Sequence, residues 1–260
     1  MSFLQQISVL ILTYNEAPNI GRTLDALKSF PEVVLLDSGS TDDTLAIAAG
    51  YINVRVCCRQ FDSHSAQWQY GLTACGIEKK WVLALDADYQ LPPQLVDEIG
   101  ALSPSSSQSG FYISFRYCVF GKPLTATLYP PLIALYKRHN ANYIQEGHTQ
   151  RVVVTGEIGR LTGLICHDDR KQLSRWLAAQ AGYAVLEAKL LRSSSWQDLK
   201  LQDKIRRLIF IAPWLVPLYC LTVGRGFMDG RAGLFYAMQR AVAESILAIQ
   251  LLETELRGNQ

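Results

Sequence analysis

The chain has 260 residues, enough for one α/β domain with a buried core plus an appended segment. Apolar residues make up 49% of it and charged residues 18%, slightly apolar for a soluble protein and far from the balance of a polytopic membrane protein. A formal charge of +2 excludes a generally basic nucleic-acid binder, so no nucleic-acid partner is expected, and any attraction to anionic surfaces must come from local clusters.

In chain order, Ile7-Ser8-Val9-Leu10-Ile11-Leu12-Thr13 is a nearly continuous apolar run rich in β-branched residues, which reads as a buried parallel strand. Tyr14-Asn15-Glu16 follows, and Pro18 opens a helix carrying Ile20, Leu24 and Leu27 at helical spacing. Val33 to Asp37 is a second strand ending in a carboxylate. Ser38-Gly39-Ser40 then turns the chain, and Asp42 and Asp43 fall in the first turn of a helix through Ala49. A third strand is predicted over 53–57, a third helix over 65–75 and a fourth strand over 81–85, which runs into Asp86-Ala87-Asp88. Such alternation implies a parallel sheet wound by right-handed crossovers, with ligands at the carboxyl ends of its strands. Asn15, Asp37, Asp86 and Asp88 all fall at those ends.

A serine-rich stretch over 103–109 closes the first half. Strands are expected over 111–119, 150–154 and 161–165, and a helical pattern runs from Asp169 to Leu191. Leu208 to Val223 is then 16 residues without a charge, flanked by Lys204, Arg206 and Arg207 and by Arg225. A straight spanning helix needs ~20 apolar residues, and Pro213 and Pro217 would break one. An interfacial or re-entrant segment on an anionic membrane surface fits better; a buried hairpin or a homo-oligomer contact is the plainer alternative. The expected division is a catalytic domain over 1–192 and a helical extension over 193–260. Six cysteines (57, 58, 75, 118, 166 and 220) make no CxxC pair, and Met1 to Leu4 runs almost directly into the first strand. Reduced cytosolic thiols are therefore expected.

An Asp-x-Asp at the end of an apolar strand suits a divalent cation that bridges two phosphates. Mg²⁺ and Mn²⁺ want hard oxygen ligands, typically one or two carboxylates with substrate phosphate and water. Alone the triplet is a weak motif, and its strand-end position is what gives it weight. Asp37 is placed to accept from a nucleobase N–H, with capping of the Ser38-Gly39-Ser40 turn as the alternative. On the third helix Trp68 reads as core, while Gln67 is a candidate for the nucleotide site.

Taken together, Ile7 to Glu16, Asp37 to Thr44 and Leu85 to Asp88 resemble, in order and spacing, the three nucleotide-site motifs of family 2 glycosyltransferases. Within that family the resemblance is to the bacterial lipopolysaccharide-core β-glucosyltransferase branch. It implies a GT-A fold, inverting transfer from a nucleotide-diphosphate sugar such as a UDP-hexose, and a divalent cation, Mg²⁺ or Mn²⁺. By that analogy Thr13, Tyr14, Asn15 and Glu16 line the nucleotide pocket, Asp37 meets the base, and Asp86, Ala87 and Asp88 face ribose, diphosphate and metal. His167, after Leu164-Ile165-Cys166, resembles the late histidine that completes such a metal site with Asp86 and Asp88.

The chain departs from the branch in two places: Tyr89 stands where an acidic residue often follows the triplet, and Gln145-Glu146-Gly147-His148 replaces a common His-Glu. Inverting transfer needs a general base on the acceptor hydroxyl; Glu146 is the first candidate and His148 the second. The expected acceptor is a lipid-linked or lipopolysaccharide-type glycan, met by a cytoplasmic enzyme held peripherally on the inner face of the cytoplasmic membrane. Two other enzyme classes fit less well. A nucleotidyltransferase calls for a Gly-rich, basic loop after the first strand, and a dinucleotide oxidoreductase for G-x-G-x-x-G; neither is present. A catalytically silent membrane-surface scaffold would lose no activity on Asp88→Ala.

Overall fold

The computed structural model describes residues 2–125, 128–146 and 149–258, with the backbone alone at 145, 146, 149 and 258. The chain packs into two compact units, one built from 1–121, 129–145 and 149–170, the other from 122–128, 146–148 and 171–260.

The first unit begins with β1 (Ile7–Thr13), α1 (Ile20–Asp25), β2 (Glu32–Asp37), α2 (Thr44–Ala48), β3 (Val54–Cys58), α3 (His64–Ala74) and β4 (Trp81–Asp86), close to the predicted alternation. β1 lies between β2 and β4, parallel to both, and β3 lies outside β2. Helices on both faces explain the continuous apolar runs. Val9 and Ile11 point into a core with Ile20, Leu24, Leu35 and Leu83, while Leu10 points the other way, toward Val34, Trp68, Leu72 and Tyr136. α3 lies so close to β1 that a Cβ on Gly71 would come within 2.7 Å of the Leu10 side chain.

Beyond β4 the sheet becomes mixed. The next elements are β5 (Tyr89–Gln90), α4 (Pro93–Gly100), β6 (Gln108–Val119), β7 (Lys122–Pro123), β8 (Leu132–Lys137), β9 (Ala141–Glu146), β10 (Thr149–Val154) and β11 (Glu157–His167). β8, absent from the sequence reading, inserts antiparallel between β4 and β6 and buries Tyr136 completely. β11 runs parallel to β6, and β5 closes the edge antiparallel to β11, giving the order β3-β2-β1-β4-β8-β6-β11-β5. The α/β fold with a mostly parallel sheet flanked by helices is as expected. The cysteines are not: Cys57 of β3 and Cys75 after α3 are joined as a disulfide, their Cα atoms 6.0 Å apart, and Cys58, Cys118, Cys166 and Cys220 are free. The crossover carries the end of α3 back beside β3, a proximity that a separation of 18 residues does not reveal.

The second unit contains α5 (Leu173–Ser193), α6 (Leu201–Arg207), α7 (Ala212–Leu221) and α8 (Arg231–Gly258). Ala184, Ala188 and Leu191 of α5 pack on Leu247 and Leu251 of α8. Arg206 of α6 holds Glu244 of α8 through Nε and Nη2, the latter at 2.9 Å from Oε1. Ile209 takes φ +59°, a left-handed conformation costly for a β-branched residue, and this turn re-aims the chain from α6 into α7. Pro213 sits in the first turn of α7 and Pro217 inside it, so the helix survives both prolines but extends only 10 residues. Among the described residues no helix is long and apolar enough to cross a membrane.

Candidate active site

The strand registers align the expected residues along one edge of the sheet: Thr13 is paired with Asp37, and Leu12 with Asp86. Two loops after β1 and β2 are knitted together there. The Asn15 amide N–H donates to Ser40 Oγ at 2.8 Å, the Thr41 N–H donates to Asn15 Oδ1 at 2.7 Å, and the Glu16 N–H donates to Thr44 Oγ1 at 2.6 Å. Asn15 reaches this geometry with φ +54°, which asparagine tolerates better than most residues. Tyr14 is exposed at the lip of this loop, while Thr13 is buried beneath it.

Asp37 is buried at the floor. Its Oδ1 accepts from the hydroxyls of Thr13 (3.2 Å) and Ser40, and its Oδ2 accepts from the N–H groups of Gly39 and Ser40, both at 2.8 Å. Its four acceptor positions are therefore engaged, three by the turn and one by Thr13 of β1. Asp42 joins the two loops, accepting from the Thr44 N–H at 3.1 Å and the Ala17 N–H at 3.2 Å. Asp43 is the N-cap of α2 without a side-chain capping bond. Gln67 is fully enclosed; its amide donates to Ser38 Oγ at 2.9 Å and its oxygen accepts from Arg59, so it meets the site through Ser38. Trp68 is core, stacked on Tyr143 at 5.5 Å.

The Asp86-Ala87-Asp88 turn joins β4 to the short β5, and β5 makes the site. Its pairing sets Tyr89 opposite His167, and the Asp168 N–H donates to the Asp88 carbonyl at 3.1 Å. His167 Nε2 thereby meets Asp88 Oδ2 at 3.2 Å. Thr23 of α1 donates to the Ala87 carbonyl at 2.7 Å and pins the middle of the turn. Burial by itself would lower the His167 pKa, but the charges of Asp88 and Asp86 and the hydrogen bond to Asp88 outweigh it and raise the pKa above its ordinary value. His167 Nδ1 is buried with no hydrogen-bond partner among the described residues. The ring is held instead by aromatic edges: Tyr117 at 4.9 Å, and Tyr89 and Tyr129 at 5.2 Å between centroids.

Several contributors to the site carry no motif signal. Tyr89 is buried, and its hydroxyl is hydrogen-bonded to Asp86; desolvation first, then the Asp86 and Asp88 charges, push its pKa well up, so it stays a neutral donor. Asn19, the N-cap of α1, and Arg22, one turn later, clamp the chain just after His167. Asn19 Nδ2 donates to Glu16 Oε2 and Asp169 Oδ1, both at 2.9 Å, and the Arg170 N–H donates to Asn19 Oδ1 at 2.9 Å. Arg22 Nη1 donates to the buried Asp168 Oδ2 at 2.8 Å and Nη2 to the Asp168 carbonyl at 3.0 Å. The i, i+3 spacing of Glu16, Asn19 and Arg22 is the one sequence trace of this clamp, and it identifies no partner.

Of the two base candidates, Glu146 closes β9; its side chain and all of His148 lie outside the described residues. Among the described residues no three His, Cys, Asp or Glu side chains converge as a ready-made metal cage. Mg²⁺ and Mn²⁺ sites do not require one, because one or two protein ligands commonly share the ion with phosphate and water. Asp88 and His167 offer an adjacent carboxylate and imidazole, a donor set that fits a cation shared with a diphosphate.

A family model described as glycosyl transferase family 2 matches residues 8–161, more than half of the chain and all three strand-end motifs. The chain belongs to glycosyl transferase family 2. His167, just past the end of that match, is brought to the motifs by the β5–β11 pairing. The transferase is similar to the lipopolysaccharide core biosynthesis glycosyltransferase LpsC of Rhizobium meliloti, at 24% identity over 260 residues, covering 90% of each chain. An uncharacterized glycosyltransferase of Rickettsia felis is 34% identical over 109 residues, which is 42% of this chain and 38% of that one. The match thus spans well under half the length of the Rickettsia relative.

Among solved structures, S. aureus TarS 1-349 in complex with UDP-GlcNAc aligns at 16% identity and a TM-score of 0.49, covering 98% of this chain and 92% of that one. Glucosyl-3-phosphoglycerate synthase from Mycobacterium tuberculosis, in complex with Mn²⁺, UDP and glucosyl-3-phosphoglycerate, aligns at 17% identity and a TM-score of 0.46, covering 72% and 79%.

Proposed function

We propose that this glycosyltransferase moves a hexose, with inversion, from a UDP-type nucleotide sugar to a lipid-linked or lipopolysaccharide-type glycan. The contact of Asp88 with His167 at 3.2 Å, beside Asp86 and the interlocked loops of Asn15 and Asp37, carries this reading. The donor's nucleotide lies along Thr13, Tyr14, Asn15 and Glu16. Asp37, braced by its turn and by Gln67 through Ser38, meets the base by exchanging one of its turn hydrogen bonds. Asp86, Ala87 and Asp88 face the ribose and diphosphate.

Asp88 and His167, with Asp86 beside them, would hold a divalent cation, which when bound offsets the charge gathering on the departing diphosphate. Tyr89 keeps Asp86 oriented by its hydroxyl. Glu146, with His148 as the second candidate, takes the acceptor's hydroxyl proton as that oxygen bonds to the anomeric carbon and the bond to the diphosphate breaks on the opposite face. We assign donor chemistry to residues 1–192 and a helical extension to 193–260, on an enzyme that is cytoplasmic and peripheral at the inner face of the membrane. The similarity to LpsC over 90% of both chains supports an envelope-glycan acceptor.

The test is a donor screen with purified protein, scoring hydrolysis of UDP-, GDP- and TDP-sugars with Mg²⁺, Mn²⁺ or EDTA. Cation-dependent turnover of a UDP-sugar, lowered about 10²–10³-fold in Asp88→Ala, is expected; no binding or turnover of any nucleotide sugar overturns the reading.

A further inference from the structure

The second unit carries an apolar surface that its own fold does not cover. Over residues 208–228, Phe210, Trp214, Leu218, Val223, Phe227 and Met228 are all largely exposed, Trp214 at 80% and Phe210 at 72%. These side chains belong to α7, to the turn before it and to the short turn that leads into α8. Isolated exposed apolar residues are ordinary, but a run of this density marks an interaction surface.

Two further observations say what covers it. The first is charge. Residues 203–244 hold six basic side chains (Lys204, Arg206, Arg207, Arg225, Arg231 and Arg240) and three acidic ones, Asp203, Asp229 and Glu244. Asp229 is buried and turned inward, its carboxylate accepting from the Thr125 N–H at 2.9 Å and the Thr125 hydroxyl at 2.6 Å. Arg206 is committed to Glu244, but Arg225, in the turn after α7, and Arg231, the first residue of α8, are exposed. Asp203 and Glu244 both pair with Arg206, at 3.6 and 2.9 Å, so the rim keeps a net positive charge to meet an anionic surface.

The second is length and rigidity. α7 has 10 residues, about 15 Å of helix, half of a ~30 Å hydrocarbon core. It is fastened to α8 by glycines rather than by a loose loop: a Cβ on Gly233 would collide with the Gly226 carbonyl oxygen, and one on Gly226 would fall 2.7 Å from that of Cys220. A short, rigid, apolar hairpin with exposed arginines in and beside its connecting turn fits an anionic bilayer met from one side, whereas a second copy of the chain would bring the same cationic rims together.

We infer that α7 and the turns flanking it form a monotopic anchor that inserts into one leaflet of an anionic membrane, with Arg225 and Arg231 on the headgroups. It deepens the proposed function by naming the surface that brings the donor site to a membrane-borne acceptor, and it rests on that reading only for what the membrane presents.

The test uses the full chain with vesicles of phosphatidylcholine alone or with 30% phosphatidylglycerol, in sedimentation, alongside the double variant Trp214→Glu/Phe227→Glu. Both positions are exposed, so the variant should keep its circular dichroism spectrum and its donor hydrolysis without acceptor. The wild type should sediment with anionic vesicles, less with neutral ones and less at high salt, and the double variant should lose binding at least tenfold. Brominated lipid should quench the wild type more than Trp214→Phe. A folded wild type that binds neither vesicle overturns the inference. So does a dimer seen by light scattering that the double variant dissolves while vesicles are ignored. Vesicle binding without turnover of any nucleotide sugar would instead overturn the proposed function and leave the anchor standing.

Discussion

Asp88 is the residue on which both the fold and the proposed chemistry converge. Its backbone carbonyl accepts from Asp168 and its carboxylate meets His167, so one turn orders both ends of the site. Asp88→Ala should lower donor turnover about 10²–10³-fold, the usual scale for removing one electrostatic contact to a developing charge, with little change in the far-ultraviolet circular dichroism. A different kind of residue is Arg22, whose guanidinium faces the buried Asp168 that Arg170 also contacts, at 2.9 Å. Arg22→Ala leaves that carboxylate with one cation in place of two and should cost about 1–3 kcal/mol in urea unfolding. Arg22→Ala/Asp168→Asn should recover part of that loss, because the buried carboxylate, left with Arg170 alone to balance it, is gone. If the double variant is less stable than the single, the cost comes from lost packing and not from charge.

At the scale of elements, α4 is stapled to β11 by Glu98. The Thr162 N–H and the Gly163 N–H each donate to its carboxylate at 2.8 Å, and the Thr162 hydroxyl donates at 2.9 Å. Burial pushes the Glu98 pKa up, but these three donors outweigh it and hold the pKa below the ordinary 4.5. A depressed carboxyl pKa stabilises the fold above the ordinary value, and that contribution is lost as pH falls through the depressed one. Wild type and Glu98→Gln should therefore differ by about 1 kcal/mol at neutral pH and converge in strong acid, read from urea midpoints against pH. A constant gap across the titration would place the difference in packing. In the second unit, Gly233→Ala forces a methyl group against the Gly226 carbonyl and should destabilise the α7–α8 hairpin by about 1–3 kcal/mol. Hydrogen exchange in α7 should rise with it, while α5 stays protected.

For the whole molecule, ligand linkage gives the broadest test. A ligand bound only by the folded state at 100 times its Kd adds about 2.7 kcal/mol of stability. UDP with Mn²⁺ should accordingly raise the unfolding midpoint of the wild type, EDTA should remove most of the rise, and Asp88→Ala should show little of it. A rise equal in both proteins would mean that the nucleotide is held without the Asp86–Asp88 turn.

Local patterning determined the first half of the fold. The apolar runs of β1, β2 and β4 leave no alternation, so they must be covered on both faces, and that alone implies a parallel sheet with crossovers. The same strand ends placed Asn15, Asp37 and Asp86 together, because parallel strands in register put their carboxyl ends on one edge. Tertiary structure decided the rest. β8 is a six-residue strand whose place between β4 and β6 depends on pairings with segments some 20 to 50 residues away, which no local period encodes. His167 stands more than 70 residues from Asp88, yet a two-residue strand at Tyr89–Gln90 joins them. The Cys57–Cys75 link and the Asn19–Asp169 contact belong to the same class. Sequence fixes what a segment must bury; which distant side chains then meet is set by sheet order and register, since each added strand carries its neighbours' side chains with it.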